Sequence, residues 1–247
     1  MPSKRVNISQ MKIGEGQLHE IYLDSGARIT CPPELIPAPG QYLLAHAPAS
    51  DSPLAVPVFF SDSAPNGFRC APLLKSAWLP GARLNLRGPI GHGFVTPPAA
   101  RKVAMIAFDD APVRLHGLIA VALKQNAEVV LVCDSAVKDL PEVVEIQPLQ
   151  VLREIIQWAD YAAMDVRREN LHQLMEMLGK QEHVRARSEA AALTARPSLT
   201  VSKGQVLVRA PMPCGALAEC GVCALTLRHK WKMICKDGPV FDIKELL

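Results

Sequence analysis

The chain has 247 residues, room for one large domain or two ordinary ones, and at 49% hydrophobic and 21% charged it has a full core to bury and is no candidate for wholesale disorder. A formal net charge of +3 is too small to imply a nucleic-acid partner. No apolar run approaches the roughly 20 residues of a membrane helix, and the opening MPSKRVNISQMK lacks the apolar segment of a secretory signal, so the expectation is a cytoplasmic protein with no membrane span.

The first hundred residues are short apolar stretches cut by turn signals: EIYLDSGARITCPP, APGQYLLAHAPAS and PVFFSDSAPNGF. Pro and Gly are dense and no helical periodicity is sustained, which predicts a small antiparallel barrel or sandwich over residues 1–98. The texture changes near residue 100. ARKVAMIAF reads as a buried strand, VRLHGLIAVALKQN as a helix with Leu115, Leu118, Ile119 and Leu123 at helical spacing, and EVVLVCD as a second buried strand. Strand, helix, strand in this order predicts a parallel sheet with helices on its faces. LQVLREIIQWA continues as a helix and YAAMDV as a strand; ENLHQLMEMLGKQ is a helix with Leu171, Leu174, Met175 and Leu178 on one face. The Ala- and Arg-rich HVRARSEAAALTARPS reads as a helix end and connection, and SLTVSKGQVLVRAP as a return to extended chain. The expected order is therefore a β barrel (1–98), an α/β domain (99–205) and a compact Cys-rich tail (206–247).

Seven cysteines divide unevenly. Cys31, Cys70 and Cys133 are scattered and read as small buried hydrophobes. Cys214, Cys220, Cys223 and Cys235 are clustered with the spacing C-x5-C-x2-C-x11-C. In a reducing compartment such a cluster points to metal rather than to disulfides. A zinc ribbon offers two close pairs, whereas here Cys220 and Cys223 alone are a C-x2-C pair. Three ligands on one loop and a distant fourth is the layout of plant-type 2Fe-2S sites, with one extra residue in the first gap. Gly215 and Gly221 let a backbone wrap a cluster, and Ala216, Ala218 and Ala224 keep bulk away. Zinc stays the competing occupant.

MPCGALAECGVC followed by CKDGPVFD resembles the C-terminus of the electron-transfer subunit of class B dihydroorotate dehydrogenases. PGQYLLAH (Pro39 to His46) is similar to that family's Pro-Gly-Gln-Phe strand, and LRGPIGHGF (Leu86 to Phe94) to its Gly-Pro-Leu-Gly-Asn-Gly-Phe turn. The resemblance implies a ferredoxin-reductase-like fold: a flavin-binding barrel, a nucleotide-binding α/β domain and a tail that ligates a 2Fe-2S cluster through Cys214, Cys220, Cys223 and Cys235. It also implies an FMN-bearing dihydroorotate dehydrogenase-type partner subunit, and a place in pyrimidine biosynthesis.

The sequence departs from that family where nucleotides should bind. Its Arg-Pro-x-Ser stretch, whose Arg meets the flavin pyrophosphate, corresponds to LAVPVFFSD; Val56 stands for the Arg and Phe59 for the Ser. Ser61 and Arg69 are polar groups nearby but do not restore the motif. The Gly-Gly-x-Gly-x-Ala-Pro turn becomes IAFDDAPV, with Ile106, Ala107 and Asp109 in place of glycines. Asp109 and Asp110 would repel a pyrophosphate and read as helix caps. The family's Cys-Gly-Pro segment is replaced by YAAMDVRREN. FAD therefore lacks its usual anchor and NAD(H) binding is not expected. His92 replaces a family Asn in a turn and reads as structural. The other histidines are dispersed, with no Ser-His-Asp or metal-like spacing. Arg228, Lys230, Trp231, Lys232 and Lys236 form a basic edge that reads as a solvated face or as an attraction for an acidic electron partner. The two functions left standing are an iron–sulfur electron-transfer subunit, and a structural or regulatory subunit whose four-cysteine site only staples the tail.

Overall fold

The computed structural model describes residues 11–23, 26–48, 54–71, 78–137, 140–178, 204–217, 220–227 and 230–246. Six antiparallel strands come first: β1 (Lys12–Ile21), β2 (Ala27–Thr30), β3 (Tyr42–His46), β4 (Val56–Ala64), β5 (Gly67–Cys70) and β6 (Arg83–Ile90). They close into a barrel in the order β1-β2-β5-β4-β3-β6. Closure leaves the sheet no free edge, which suits strands this short. Side chains alternate across the barrel wall. Leu43, Ala45, Val58 and Phe60 fill the interior with Leu18, Ile29, Phe68, Leu84 and Leu86. Tyr42, Leu44 and Phe59 point outward and belong to a different core.

That outer core is shared with a second sheet. Its strands are β7 (Lys102–Ala107), β8 (Glu128–Val132), β9 (Glu145–Gln147), β10 (Tyr161–Arg167), β11 (Gly204–Arg209) and β14 (Val240–Asp242), ordered β14-β11-β10-β7-β8-β9. All neighbours are parallel except β14, which runs antiparallel to β11. Helix α1 (His116–Lys124) covers one face: Leu115, Leu118, Ile119 and Ala122 meet Val103, Met105 and Ala163. Helices α2 (Leu152–Trp158) and α3 (Leu171–Met177) cover the other, where Leu152, Ile156, Leu171, Leu174, Met175 and Leu178 meet Ala104, Ile106 and Met164. Each predicted helix of this region is preceded by a short 3₁₀ turn, so the helical turns begin later than the periodicity alone indicates. The expected segment HVRARSEAAALTARPS lies outside the described residues. Among the described residues no helix is long and apolar enough to cross a membrane.

The tail continues from β11. A two-stranded ribbon, β12 (Ala224–Thr226) with β13 (Trp231–Met233), leads into the short α4 (Ile234–Asp237), then β14 and α5 (Ile243–Leu246). Three of the segments singled out in the sequence meet at one corner. Gln41 Nε2 donates to the Gly91 carbonyl at 2.9 Å, the Phe94 amide to Pro39 at 2.9 Å, and the His92 amide to Gly238 at 2.8 Å. PGQY, GPIGHGF and KDGPVF thus join barrel, sheet and tail. His92 contributes backbone pairing there, forming an isolated bridge with Pro239.

Candidate functional site

The four clustered cysteines come together on the outside of β3 and β6. Cys214 and Cys220 flank one side of a loop that leaves β11, Cys223 ends that loop at the start of β12, and Cys235 opens α4. Their sulfurs fall into two pairs. Cys214 Sγ and Cys220 Sγ are 3.6 Å apart; Cys223 Sγ and Cys235 Sγ are 3.1 Å apart. Cys223 and Cys235 are buried, Cys214 is half-buried and Cys220 is exposed. The site therefore has a dry end and a wet end. Tyr42 and Leu44 of the barrel and Leu225, Met233 and Ile234 of the tail share one core with the buried pair.

The local backbone is shaped to bring the thiols in. Gly215 has φ +50° and a side chain there would meet Leu44 Cδ1 at 1.9 Å, so glycine is required both by conformation and by the barrel wall. Ala216 takes the same left-handed region at φ +67°, an arrangement a non-glycine residue adopts at a cost of about 1 kcal/mol or more. The Cys223 carbonyl accepts from the Ile234 amide at 3.0 Å, and the Asp237 carboxylate accepts from the Met233 amide at 2.7 Å. The Cys235 amide points at Cys223 Sγ at 3.5 Å. Two arginines grip the loop from either side. Arg87 Nη2 donates to the carbonyls of Cys214 (3.4 Å) and Gly215 (3.1 Å), and Arg168 Nη1 to those of Val222 (2.6 Å) and Ala224 (3.1 Å).

The thiol pairing has an electrostatic consequence. The hydrogen bond from Cys235 favours the Cys223 thiolate and, against burial, brings that thiol down to about 6, while Cys235 is pushed up. The pair releases its first proton readily and holds the second. Burial raises the Tyr42 phenol, as do the neighbouring Cys235, Cys223 and Cys214; its hydroxyl donates to the Cys235 carbonyl at 3.4 Å.

These residues fit an iron–sulfur cluster by the chemistry of their donor set. Two thiolates on one tetrahedral metal, each about 2.3 Å from it, stand about 3.8 Å apart. The Cys214–Cys220 pair is within a few tenths of that span, and the Cys223–Cys235 pair has to open slightly. Among the described residues no group of three or more His, Cys, Asp or Glu side chains stands as a single metal ion would hold it. One zinc would draw four thiolates into one tetrahedron, and a two-iron cluster would take two on each iron.

A second group of polar side chains lies at the carboxyl ends of β7, β10 and β11, and sequence reasoning misassigned it. In a doubly wound sheet this is the switch-point crevice where nucleotides bind, here between β7 and β10. Asp109 and Asp110 make no side-chain cap on the helical turns that follow them, contrary to the capping expected from sequence. They turn instead toward arginines. Arg209 donates through Nη1 to Asp110 (2.7 Å), through Nε to Asp165 (2.5 Å) and through Nη2 to Asp109 (3.5 Å). Arg114 reaches Asp165 at 3.1 Å, Arg167 reaches Asp110 at 2.8 Å, and the Asn170 amide donates to Asp109. Arg114 and Asp165 are 4% and 1% exposed, so the pair is fully desolvated and depends on this mutual satisfaction. Burial works against ionisation of Asp110, but Arg209 and Arg167 outweigh it and hold the carboxyl below its ordinary value.

The substituted flavin motif is likewise part of the packing. Val56 pairs with Ala45 on β3, and Phe59 turns its ring onto Tyr42 with centroids 5.5 Å apart. Ser61 is fully buried and donates to the Val113 carbonyl at 2.8 Å; Arg69 lies over the Tyr22 ring at 4.4 Å. Gly117 of α1 sits so close to β4 that a side chain there would meet the Phe60 ring at 2.4 Å. On the basic edge, Lys232 pairs with Glu245 and lies over the Phe241 ring at 5.5 Å, Trp231 is exposed, and Arg228 is outside the described residues.

Residues 211–247 match the family model described as the iron-sulfur cluster binding domain of dihydroorotate dehydrogenase B. No curated protein sequence matches the chain. Among solved structures, the NADH-dependent reduced ferredoxin–NADP oxidoreductase examined for flavin-based electron bifurcation superposes with a TM-score of 0.65 at 14% identity, covering 94% of this chain and 89% of its own. The ferredoxin reductase of carbazole 1,9a-dioxygenase gives 0.56 at 17% identity over 69% of this chain and 66% of its own. The Amycolatopsis cytochrome P450 reductase GcoB gives 0.54 at 15% identity over 68% and 65%. The fold is ferredoxin-reductase-like: a six-stranded antiparallel barrel, a mainly parallel sheet flanked by helices, and a Cys-rich C-terminus that matches an iron–sulfur binding domain.

Proposed function

We propose that the chain is an iron–sulfur electron-transfer subunit that relays single electrons between a partner dehydrogenase and a further carrier. Cys214 and Cys220 would hold one iron of a 2Fe-2S cluster, and Cys223 and Cys235 the other. The observation that carries this reading is the division of the four thiols into two close pairs, one buried and one turned to solvent. The cluster supplies a one-electron couple when bound. The protein's part is to seat it: Tyr42, Leu44 and Ile234 exclude water from the buried end, and Cys220 leaves the other end accessible. Leu217 and Val222, close to Cys220 in the chain, are exposed and offer apolar surface suited to contact with another protein. In this reading the partner is an FMN-bearing dihydroorotate dehydrogenase-type subunit and the reaction belongs to pyrimidine biosynthesis in the cytoplasm; the match of residues 211–247 to the iron-sulfur cluster binding domain of dihydroorotate dehydrogenase B supports it. The working division of the chain is a barrel over 1–98, a nucleotide-type α/β domain over 99–205 and the cluster tail over 206–247.

In the same reading the chain does not use NAD(H), and FAD lacks its family anchor. Asp109, Asp110 and Asp165 occupy the switch-point crevice with negative charge already paired to Arg209, Arg114 and Arg167, and Phe59 is committed to the core. Electrons therefore enter from a partner rather than from a nucleotide held in this chain. A second reading, in which the four-cysteine site only staples the tail to the barrel, is favoured by the buried core that Cys223 and Cys235 share with Tyr42. One sample separates the two. Anaerobically purified protein is expected to show an iron–sulfur absorption spectrum with about two irons per chain and flavin well below one per chain. A colourless, zinc-containing protein sinks the relay. A cluster that a candidate partner cannot reduce on a catalytic timescale leaves the staple.

A further inference from the structure

The reading of the cysteines as iron–sulfur ligands carries a consequence for a residue of the barrel that no sequence motif marks. Arg87 lies on β6, opposite Leu44 of β3, on the outer barrel wall against which Gly215 packs. Its Nη2 spans the consecutive carbonyls of Cys214 and Gly215 at 3.4 and 3.1 Å. Its Nε is buried and has no hydrogen-bond partner among the described residues. A guanidinium is always charged and presents its donors in a rigid fork, so holding two carbonyls with one nitrogen leaves the Nε–H as an unsatisfied donor beside the first cysteine. Among the described residues no carboxylate lies within ion-pair distance of Arg87 to neutralise it. Such an uncompensated, partly desolvated cation with an orphaned donor is costly beside neutral thiols, and favourable beside a site that carries net negative charge.

We propose that Arg87 is a positioning residue for the cluster, which fixes the backbone of Cys214 and, as a constant positive charge next to it, sets the reduction potential. Reduction adds one electron, and hence one negative charge, to the site. A fixed cation stabilises the reduced form more than the oxidised one and raises the potential. The arrangement also calls for Arg rather than Lys, because a lysine keeps the charge but has no second, differently directed donor.

The experiment compares reconstituted wild type with Arg87→Gln and Arg87→Lys in the full chain. Iron and sulfide per chain, the midpoint potential from an EPR-monitored titration, and the thermal transition are read on each. Arg87→Gln is expected to retain iron and to shift the reduction equilibrium roughly tenfold toward the oxidised form, about 59 mV for one electron. Arg87→Lys is expected to return most of that shift. Arg87→Gln loaded to the wild-type level at an unchanged potential overturns the proposal. If Arg87→Gln fails to fold, Arg87→Lys decides: a near-wild-type potential supports the charge, and a tenfold shift despite the retained charge overturns it. Loss of iron from Arg87→Lys as well as Arg87→Gln, with the thermal transition retained, overturns the charge as what sets the potential. A wild-type chain that takes up no iron is a different failure, because it removes the cluster reading itself.

Discussion

At the ends of β7, β10 and β11, three aspartates and three arginines close on one another, and nearly every polar atom there has a partner. A few residues further along the chain from β11, four thiols gather in two pairs, one dry and one wet, beside an arginine Nε that has no partner among the described residues. The first lies where the sheet presents the carboxyl ends of its strands, the place where such folds bind ligands, and the second lies against the barrel strands β3 and β6. The first is electrostatically complete as it stands. The second leaves the buried Arg87 Nε without a partner among the described residues.

The largest expected effect comes from the unsatisfied region. Replacing Cys223 or Cys235 with Ser removes a ligand from the buried end, and iron per chain should fall close to zero after reconstitution; retention of wild-type iron would break the comparison outright. Next is the self-satisfied region. Asp165→Asn takes the charge from an aspartate held by both Arg114 and Arg209; Arg209 keeps Asp109 and Asp110, but the buried Arg114 loses its carboxylate. Breaking a buried pair in this way costs about 3–5 kcal/mol, to be read as a lower urea midpoint with no change in iron content. Gly215→Ala tests the seam between the regions. A positive φ and the Leu44 contact predict a loss of about 1–3 kcal/mol together with weaker cluster retention. The smallest effect is pH-dependent. Asp110 ionises more readily in the folded chain than in the unfolded one, so its contribution is complete above the ordinary carboxylate pKa of about 4 and is lost as pH falls through the lower folded value. Asp110 is partly exposed, so the wild type should exceed Asp110→Asn by only about 0.5–1 kcal/mol at pH 7, and the gap should narrow progressively in urea titrations as pH falls below about 4.

Much of this molecule could be read from residue patterns, and the limits have a common cause. The change of texture near residue 100 is real, with barrel strands ending at Ile90 and the parallel sheet beginning at Lys102. Leu171, Leu174, Met175 and Leu178 share the buried face their spacing implies. These are local signals. Asp109 and Asp110 were legible as carboxylates before a helix, but not as partners of Arg209, which lies 100 and 99 positions away. Arg87 carries no motif because its targets are backbone carbonyls 127 and 128 positions on, and a carbonyl leaves no trace in a sequence. The three-residue β9 and the antiparallel β14 were equally silent: both are too short for a period, and both are fixed by the strand they join.

The link from Tyr42 to Cys235 spans 193 positions of the chain. Contacts so distant in sequence form late, because the loop they close must first lose its freedom. The wall on which the thiols rest, Leu44 and Tyr42 of β3 with Arg87 of β6, belongs to the barrel, whose strands pair within the first ninety residues. The cysteines lie more than 120 residues further along the chain and emerge after the barrel during synthesis. The order of assembly is thereby imposed: the barrel stands first, the sheet docks against it, and the tail has a surface to settle on only afterwards. In the iron–sulfur reading, loading the tail with metal then acts on a barrel already formed, through the exposed side at Cys220, rather than serving as a nucleus around which the rest condenses.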